Sequence, residues 1–106
     1  MAIEATPIEV WLEWRQRPRA AVVVPYVGAQ DKALIDYRVF IKRRGASGST
    51  QIEQTGDALL QPQLAKSLGE VLISRDPADT CTVLISVTER GQAQGIERNF
   101  DCPLAR

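Results

Sequence analysis

The stretch RRGASGSTQIEQTG, Arg43 to Gly56, is where phosphate chemistry would have to sit in this chain. A phosphate loop needs converging backbone N–H groups and a lysine to neutralise charge, in the order Gly-x-x-x-x-Gly-Lys-Ser/Thr. Here Gly45 and Gly48 stand too close together, and no lysine follows Gly48. The Gly-x-Gly-x-x-Gly of dinucleotide-binding turns is also missing. The two glycines read instead as a hairpin connection in which positive φ is tolerated. The rest of the inventory is equally poor in chemistry. There is no histidine, which removes the commonest general base and the commonest metal ligand. Ser47 and Ser49 have no histidine or lysine partner within the motif. Glu9 and Glu13 read as solvated charges on a strand face. Two cysteines cannot complete a four-ligand zinc site. The expectation is no enzyme, no cofactor and no metal.

The two cysteines carry a structural signal. Cys81 lies near the start of one apolar-periodic segment and Cys102 at the end of the next, with RGQAQG between them. A hairpin folded about Gly91-Gln92 sets Val83 against Phe100, Val87 against Ile96 and Cys81 against Cys102. The register that matches the apolar faces therefore also brings the sulfurs together, close enough for a disulfide. Three readings stay open: a structural staple, a redox pair, and two reduced buried thiols. The absence of a Cys-x-x-Cys spacing or an adjacent base favours the staple. A staple implies an oxidising compartment, the periplasm or the cell exterior. The same register points Arg98 inward opposite Ile85, which requires either an exit past the sheet edge or a bulge.

The elements that position these residues follow a period of two. PIEVWLEWRQ places Ile8, Val10, Leu12 and Trp14 on one face and Glu9, Trp11, Glu13 and Arg15 on the other. RAAVVVPYV reads as a strand buried on both sides, with Pro25 marking a bulge or an end. KALIDYRVFIKRR puts Ala33, Ile35, Tyr37, Val39 and Ile41 inward. STQIEQT is short and polar on both faces, as edge strands are. Val71 and Ile73, then Cys81, Val83, Ile85 and Val87, then Ile96, Phe100 and Cys102 complete the inward set. Turn-forming clusters separate the segments, including Gly45 to Gly48, Gly56-Asp57, Asp76-Pro77 and Gly91 to Gly95. Pro62 and Gly69 argue against a helix over 61–70.

Seven short strands at this spacing predict an all-β protein, an immunoglobulin-like seven-stranded antiparallel β-sandwich, as a single domain over residues 1–106. The chain is 44% apolar and 25% charged, with formal net charge zero. Zero net charge gives no field for nucleic acid or membrane, so neither is expected as a partner. No apolar run approaches the roughly 20 residues of a spanning helix. Zero net charge and polar edges point to a monomer.

Two surface features remain. Arg38, Lys42, Arg43 and Arg44, with Lys32 nearby, form a basic cluster. It reads either as edge protection or as a patch seeking an acidic or Asn/Gln-rich partner. Trp11, between Glu9 and Glu13 on the nominal outer face, reads equally as a partner anchor and as a ring covered by a loop.

The run GASGSTQIEQTGDALLQPQLAKSLGEVLISRDPADTCTVLISV resembles the periplasmic curli-assembly inhibitors, the CsgC/CsgH group. The resemblance rests on order and spacing: Gly45, Gly48, Ser49, Gln51, Gln54, Pro62, Val71, Ile73, Ser74, Asp76 and Val83 to Val87. The cysteines and the QTG sequence are closer to the CsgH branch. The resemblance implies a periplasmic, chaperone-like inhibitor of amyloid formation whose client is the unfolded curli subunit before export. It places client contact on Arg38, Lys42 and Arg43. Extended through Arg44 to the edge residues Gln51 and Gln54, this is the client-binding surface expected here. The CsgC branch carries Cys-x-Cys on its third strand, where this chain has Ala33-Leu34-Ile35, so thiol chemistry there does not carry over. The alternatives are a periplasmic thiol-disulfide redox domain and a generic adhesive or structural sandwich module.

Overall fold

Alternation of apolar and polar residues becomes strand along nearly all of the chain. The computed structural model describes residues 7–18, 20–46, 48–74, 80–92 and 95–102. Among these lie β1 (Ile8–Arg17), β2 (Ala20–Ala29), β3 (Ala33–Gly45), β4 (Gly48–Leu60), β5 (Lys66–Ser67), β6 (Val71–Ser74), β7 (Thr80–Glu89) and β8 (Gly95–Asp101). One sheet has β2 between β1 on one side and β5 and β6 on the other. The second runs in the order β4-β3-β7-β8. Every pairing is antiparallel. Hairpins stay within a sheet (β1–β2, β3–β4, β7–β8), and the connections between them cross to the other sheet. This is the immunoglobulin-like sandwich expected from the strand count, with β5 as a two-residue addition. The Asp76-Pro77 turn and part of the RGQAQG connection lie outside the described residues.

The inner faces meet as anticipated. Val23, Val27, Ile35, Val39, Ile41, Leu60, Val83, Ile85 and Val87 form the core, with Ile8, Val10, Leu12, Trp14, Tyr37, Ile52 and Phe100 packed against it. β2 is buried on both sides, as its β-branched run suggested. On its outer face Val24 is only 1% exposed. The Arg15–Glu70 ion pair, at 3.4 Å, joins the two flanking segments and so crosses β2 near Val22 and Val24. The aliphatic stem of such an arginine covers apolar surface while its head stays wet.

Pro25 does mark a bulge, and the reason is visible. Its carbonyl accepts from the Leu68 N–H at 2.8 Å, so its backbone faces the β5/β6 side. Proline has no N–H to give back there. The neighbouring edge therefore breaks into β5 and β6. Two residues of β2, Val24 and Pro25, oppose three of the partner, Leu68 to Glu70. Gly69 takes φ +117° in the break, a conformation that costs glycine little.

Gly56-Asp57 departs from expectation. It is not a turn, and STQIEQT is not short: β4 runs unbroken for 13 residues. Gly56 pairs directly with Tyr37. A Cβ at this position would lie 2.7 Å from the Tyr37 hydroxyl, so the glycine is there to let the ring lie across the strand. The signal of a turn glycine and that of a glycine covered by a ring are the same letter.

Cys81 and Cys102 are joined by a disulfide, with Cα atoms 5.1 Å apart. The register is the one derived from the sequence: Val83 faces Phe100, Ile85 faces Arg98 and Val87 faces Ile96. Cys102 N–H donates to the Cys81 carbonyl at 3.0 Å, extending the ladder to the bond itself. Arg98 needs no bulge. It is exposed on edge strand β8 and turns back so that Nη1 donates to the Glu97 carbonyl. Replacing both cysteines by serine should destabilise the domain by about 3 kcal/mol in equilibrium urea unfolding, from loop-closure entropy returned to the unfolded chain.

Candidate functional site

β3 supplies the candidate surface, because every second residue of it leaves the core. Arg38, Phe40, Lys42 and Arg44 share the outer face with β4 residues Ser49, Gln51, Glu53 and Thr55 and β7 residues Thr80, Thr82, Leu84 and Ser86. The cations on this face differ in state. Arg38 is bound to Glu53 at 3.1 Å and lies over the Phe40 ring at 5.3 Å. Lys42 and Arg44 have no ion-pair partner among the described residues. They line a shallow depression of about 260 Å³ with Thr80, Cys81 and Thr82. Two free cations beside two hydroxyls form a surface that can hold a carboxylate or a side-chain amide oxygen.

The expected cluster therefore divides. Arg38, Lys42, Arg44 and Gln51 do come together on the outer face. Arg43 does not join them: β3 continues to Gly45, so parity turns Arg43 to the inner side. There it lines a groove of about 160 Å³ between β4 and β6, with Ile41, Thr50, Ile52, Leu72 and Ile73. Gln54 is likewise on the inner side, half-buried, with its Oε1 beside Gly69. Thr80 and Thr82 were missed. Their alternation with Cys81 and Val83 marks them as outward, but only the β3–β7 register places them beside Lys42 and Arg44.

β4 is the end strand of its sheet. Gly45 pairs with Gly48, so two residues connect β3 and β4, with Gly48 at φ +120°. The closing pair of such a hairpin is hydrogen-bonded, and the pairs alternate from there. Odd positions of β4, from Ser49 to Leu59, then direct their backbone N–H and C=O groups away from β3. The parity is checked on the other side of β3. The Leu34 and Arg44 carbonyls, both even positions, accept from β7-side groups, the Arg90 N–H and the Thr80 hydroxyl. The polar edge is thus open to strand addition beside the free cations.

The opposite end of this face is electrically closed. Asp36 and Asp57 are directly paired across β3 and β4. Like charges so placed repel. Arg90, after β7, bridges them at 2.8 Å and 3.1 Å. Its hydrogen bond, and secondarily its charge, hold the Asp36 carboxyl below the ordinary 3.8. The hydrogen bond to Asp36, and after it that to Asp57, in turn raises the Arg90 guanidinium.

Among the described residues no group of His, Cys, Asp and Glu could hold a metal ion, and no helix is long and apolar enough to cross a membrane. The fold and this surface define an immunoglobulin-like sandwich with one basic, edge-bordered sheet face. No family model matches the chain, and no curated protein does. Solved structures do match. The E. coli curli protein CsgC superposes with TM-score 0.79 at 18% identity, covering 89% of this chain and 98% of that one. R. palustris CsgH superposes with TM-score 0.73 at 17% identity, over 90% of this chain and 92% of that one. At these identities the likeness is one of fold, and it coincides with the resemblance read from the order and spacing of residues.

Because the folded-state pKa of Asp36 is lowered, its contribution is full above about 3.8 and is lost as pH falls through the folded value. An NMR titration should place the Asp36 midpoint below 3.8 in the wild type. In Arg90→Ala it should rise to 3.8 or above, since Asp57 still faces it. The stability difference between the two proteins should shrink as the solution is acidified.

Proposed function

We propose that this protein is a periplasmic, chaperone-like inhibitor of amyloid formation by a curli subunit, acting through transient contact with the unfolded client. The observation that carries the reading is the pair of free cations, Lys42 and Arg44, beside an open polar edge strand on a fold shared with CsgC and CsgH. The disulfide is in keeping with an oxidising compartment.

The physics suits a weak, repeated encounter. Amyloid-forming chains present high β-propensity with low charge. Exposed cations raise the encounter rate with carboxylate- and amide-bearing segments without demanding a deep pocket. The odd-position backbone groups of β4 can pair briefly with an extended chain, while Gln51 beside Lys42 offers an amide to the same segment. Arg38 contributes less, because Glu53 already holds it.

The test is a fibrillation assay of the curli subunit with substoichiometric protein. Reversing Lys42 and Arg44 to glutamate should shorten the lag phase towards that of the subunit alone. Reversing Arg38 should have the smaller effect of the three. An unchanged lag in the Lys42/Arg44 double variant, with folding intact by circular dichroism, would remove this surface from the mechanism. A wild-type protein that fails to lengthen the lag would remove the function itself.

A further inference from the structure

The sheet on the far side of the sandwich from Lys42 and Arg44 carries its own built pocket. On the outer face of β1 and β2, Trp11 pairs with Tyr26 and their rings stack, centroids 5.7 Å apart and planes 11° from parallel. The indole extends over Gly28, where a Cβ would stand 3.4 Å from it. Beyond the indole is a cavity of about 160 Å³ walled by Trp11, Glu9, Gln30, Gln63 and Leu64. Leu64 is 62% exposed. The segment carrying it is fixed rather than loose: Gln63 adopts φ 59°, and its N–H donates to the Ala29 carbonyl at 2.8 Å. A non-glycine residue in this left-handed conformation persists where the surroundings over-determine it.

Charge decides what the pocket suits. Glu9 stands in its wall and Glu13 follows on the same strand face. Neither has an ion-pair partner among the described residues. The nearest cation along that face, Arg15, is taken by Glu70, and Lys66, which follows the wall residue Ala65, is in register with the inward Val27 rather than with Trp11 and Tyr26. Arg17 lies eight residues from Glu9, about 26 Å along a strand, well beyond the screening length. An aromatic plane with an adjoining uncompensated carboxylate and two amide side chains is a receptor for an organic cation on an aliphatic stem. We propose that this pocket binds a lysine or arginine side chain of a protein partner, with the stem against Trp11 and Leu64 and the charge at Glu9. The site is on the other sheet from the basic row, so a partner here and a client there do not compete. The proposal stands or falls independently of the curli reading.

The test uses the full chain labelled with 15N, titrated with acetyl-Gly-Lys-Gly-amide and with its uncharged norleucine counterpart. The Trp11 indole N–H is the reporter, and the Trp14 indole is the internal control. The lysine peptide should give a saturable shift of Trp11 and the Gln30 and Gln63 side-chain amides, leaving Lys42 and Arg44 unmoved. The norleucine peptide should bind severalfold more weakly, up to about fivefold, as loss of an exposed ion pair to Glu9 implies. Glu9→Gln should weaken the lysine peptide severalfold, and Trp11→Leu should abolish its binding while keeping apolar bulk. Equal shifts from both peptides, no saturation, or indifference to Glu9→Gln would overturn the proposal. Glu9 is exposed, so its variant decides the matter even where Trp11→Leu disturbs the fold.

Discussion

The register of β3 is the constraint on which the second sheet depends. β3 is paired over its whole length with β4 and over most of it with β7. Because side chains alternate, a slip of one residue would carry Ile35, Val39 and Ile41 out of the core and Lys42 and Arg44 into it. Burying cations without partners costs far more than any single surface contact returns. Local features reinforce the register. The two-residue connection at Gly45 and Gly48 sets the phase at one end, and the Tyr37 ring over Gly56 sets it midway. The disulfide joins β7 to the segment after β8, next to the row where Arg43 meets Cys81. The same alternation that makes the core thus makes the basic row. A shift of register would move both at once.

Much of this was readable because it is local. Strict period-two patterning in β1, β3 and β7 assigned inward residues that the structure places inward. The β7–β8 register followed from matching apolar faces, and with it the closeness of Cys81 and Cys102, which the structure joins as a disulfide. Pro25 announced a bulge or a strand end, and the bulge is found, with the extra residue in the neighbouring edge. What failed to read was what depends on partners distant in sequence. Gly56 reads as a turn in the sequence because nothing nearby shows the Tyr37 ring above it. β4 was consequently cut short, and β5 was unseen because a two-residue strand is defined only by its neighbour, β2.

The candidate site shows the same boundary. Arg38 and Lys42 were placed outward by parity alone, and correctly. Arg43 belongs with them in a list of neighbouring cations, but β3 continues to Gly45 and its parity turns Arg43 inward. Gln51 and Gln54 were read as one polar edge, yet an odd separation puts them on opposite faces. Thr80 and Thr82 were legible as outward residues but not as neighbours of Lys42 and Arg44. That adjacency needs a pairing between strands some forty residues apart in sequence.

An open edge of this length is ordinarily a liability, since unpaired N–H and C=O groups can template aggregation. β4 carries its own restraint. Its outer face carries Glu53 and Asp57, charged residues of the kind that discourage pairing at an open edge. Arg38 and Arg90 already hold these two acids, so they are fixed in place rather than free to swing clear. Its inner side is anchored by Ile52, Ala58 and Leu60 against the core, which keeps the strand from peeling away to pair elsewhere. On the proposed reading these properties are what the role requires. A surface that meets unfolded amyloid chains must present enough edge to engage them, yet too little apolar or uncharged strand to be extended by them. On that reading, the gradient along the face, from the clamped Asp36–Asp57 pair to the free Lys42 and Arg44, would confine engagement to the hairpin tip. A client held only there would be held briefly, since two exposed cations and one strand edge supply few contacts.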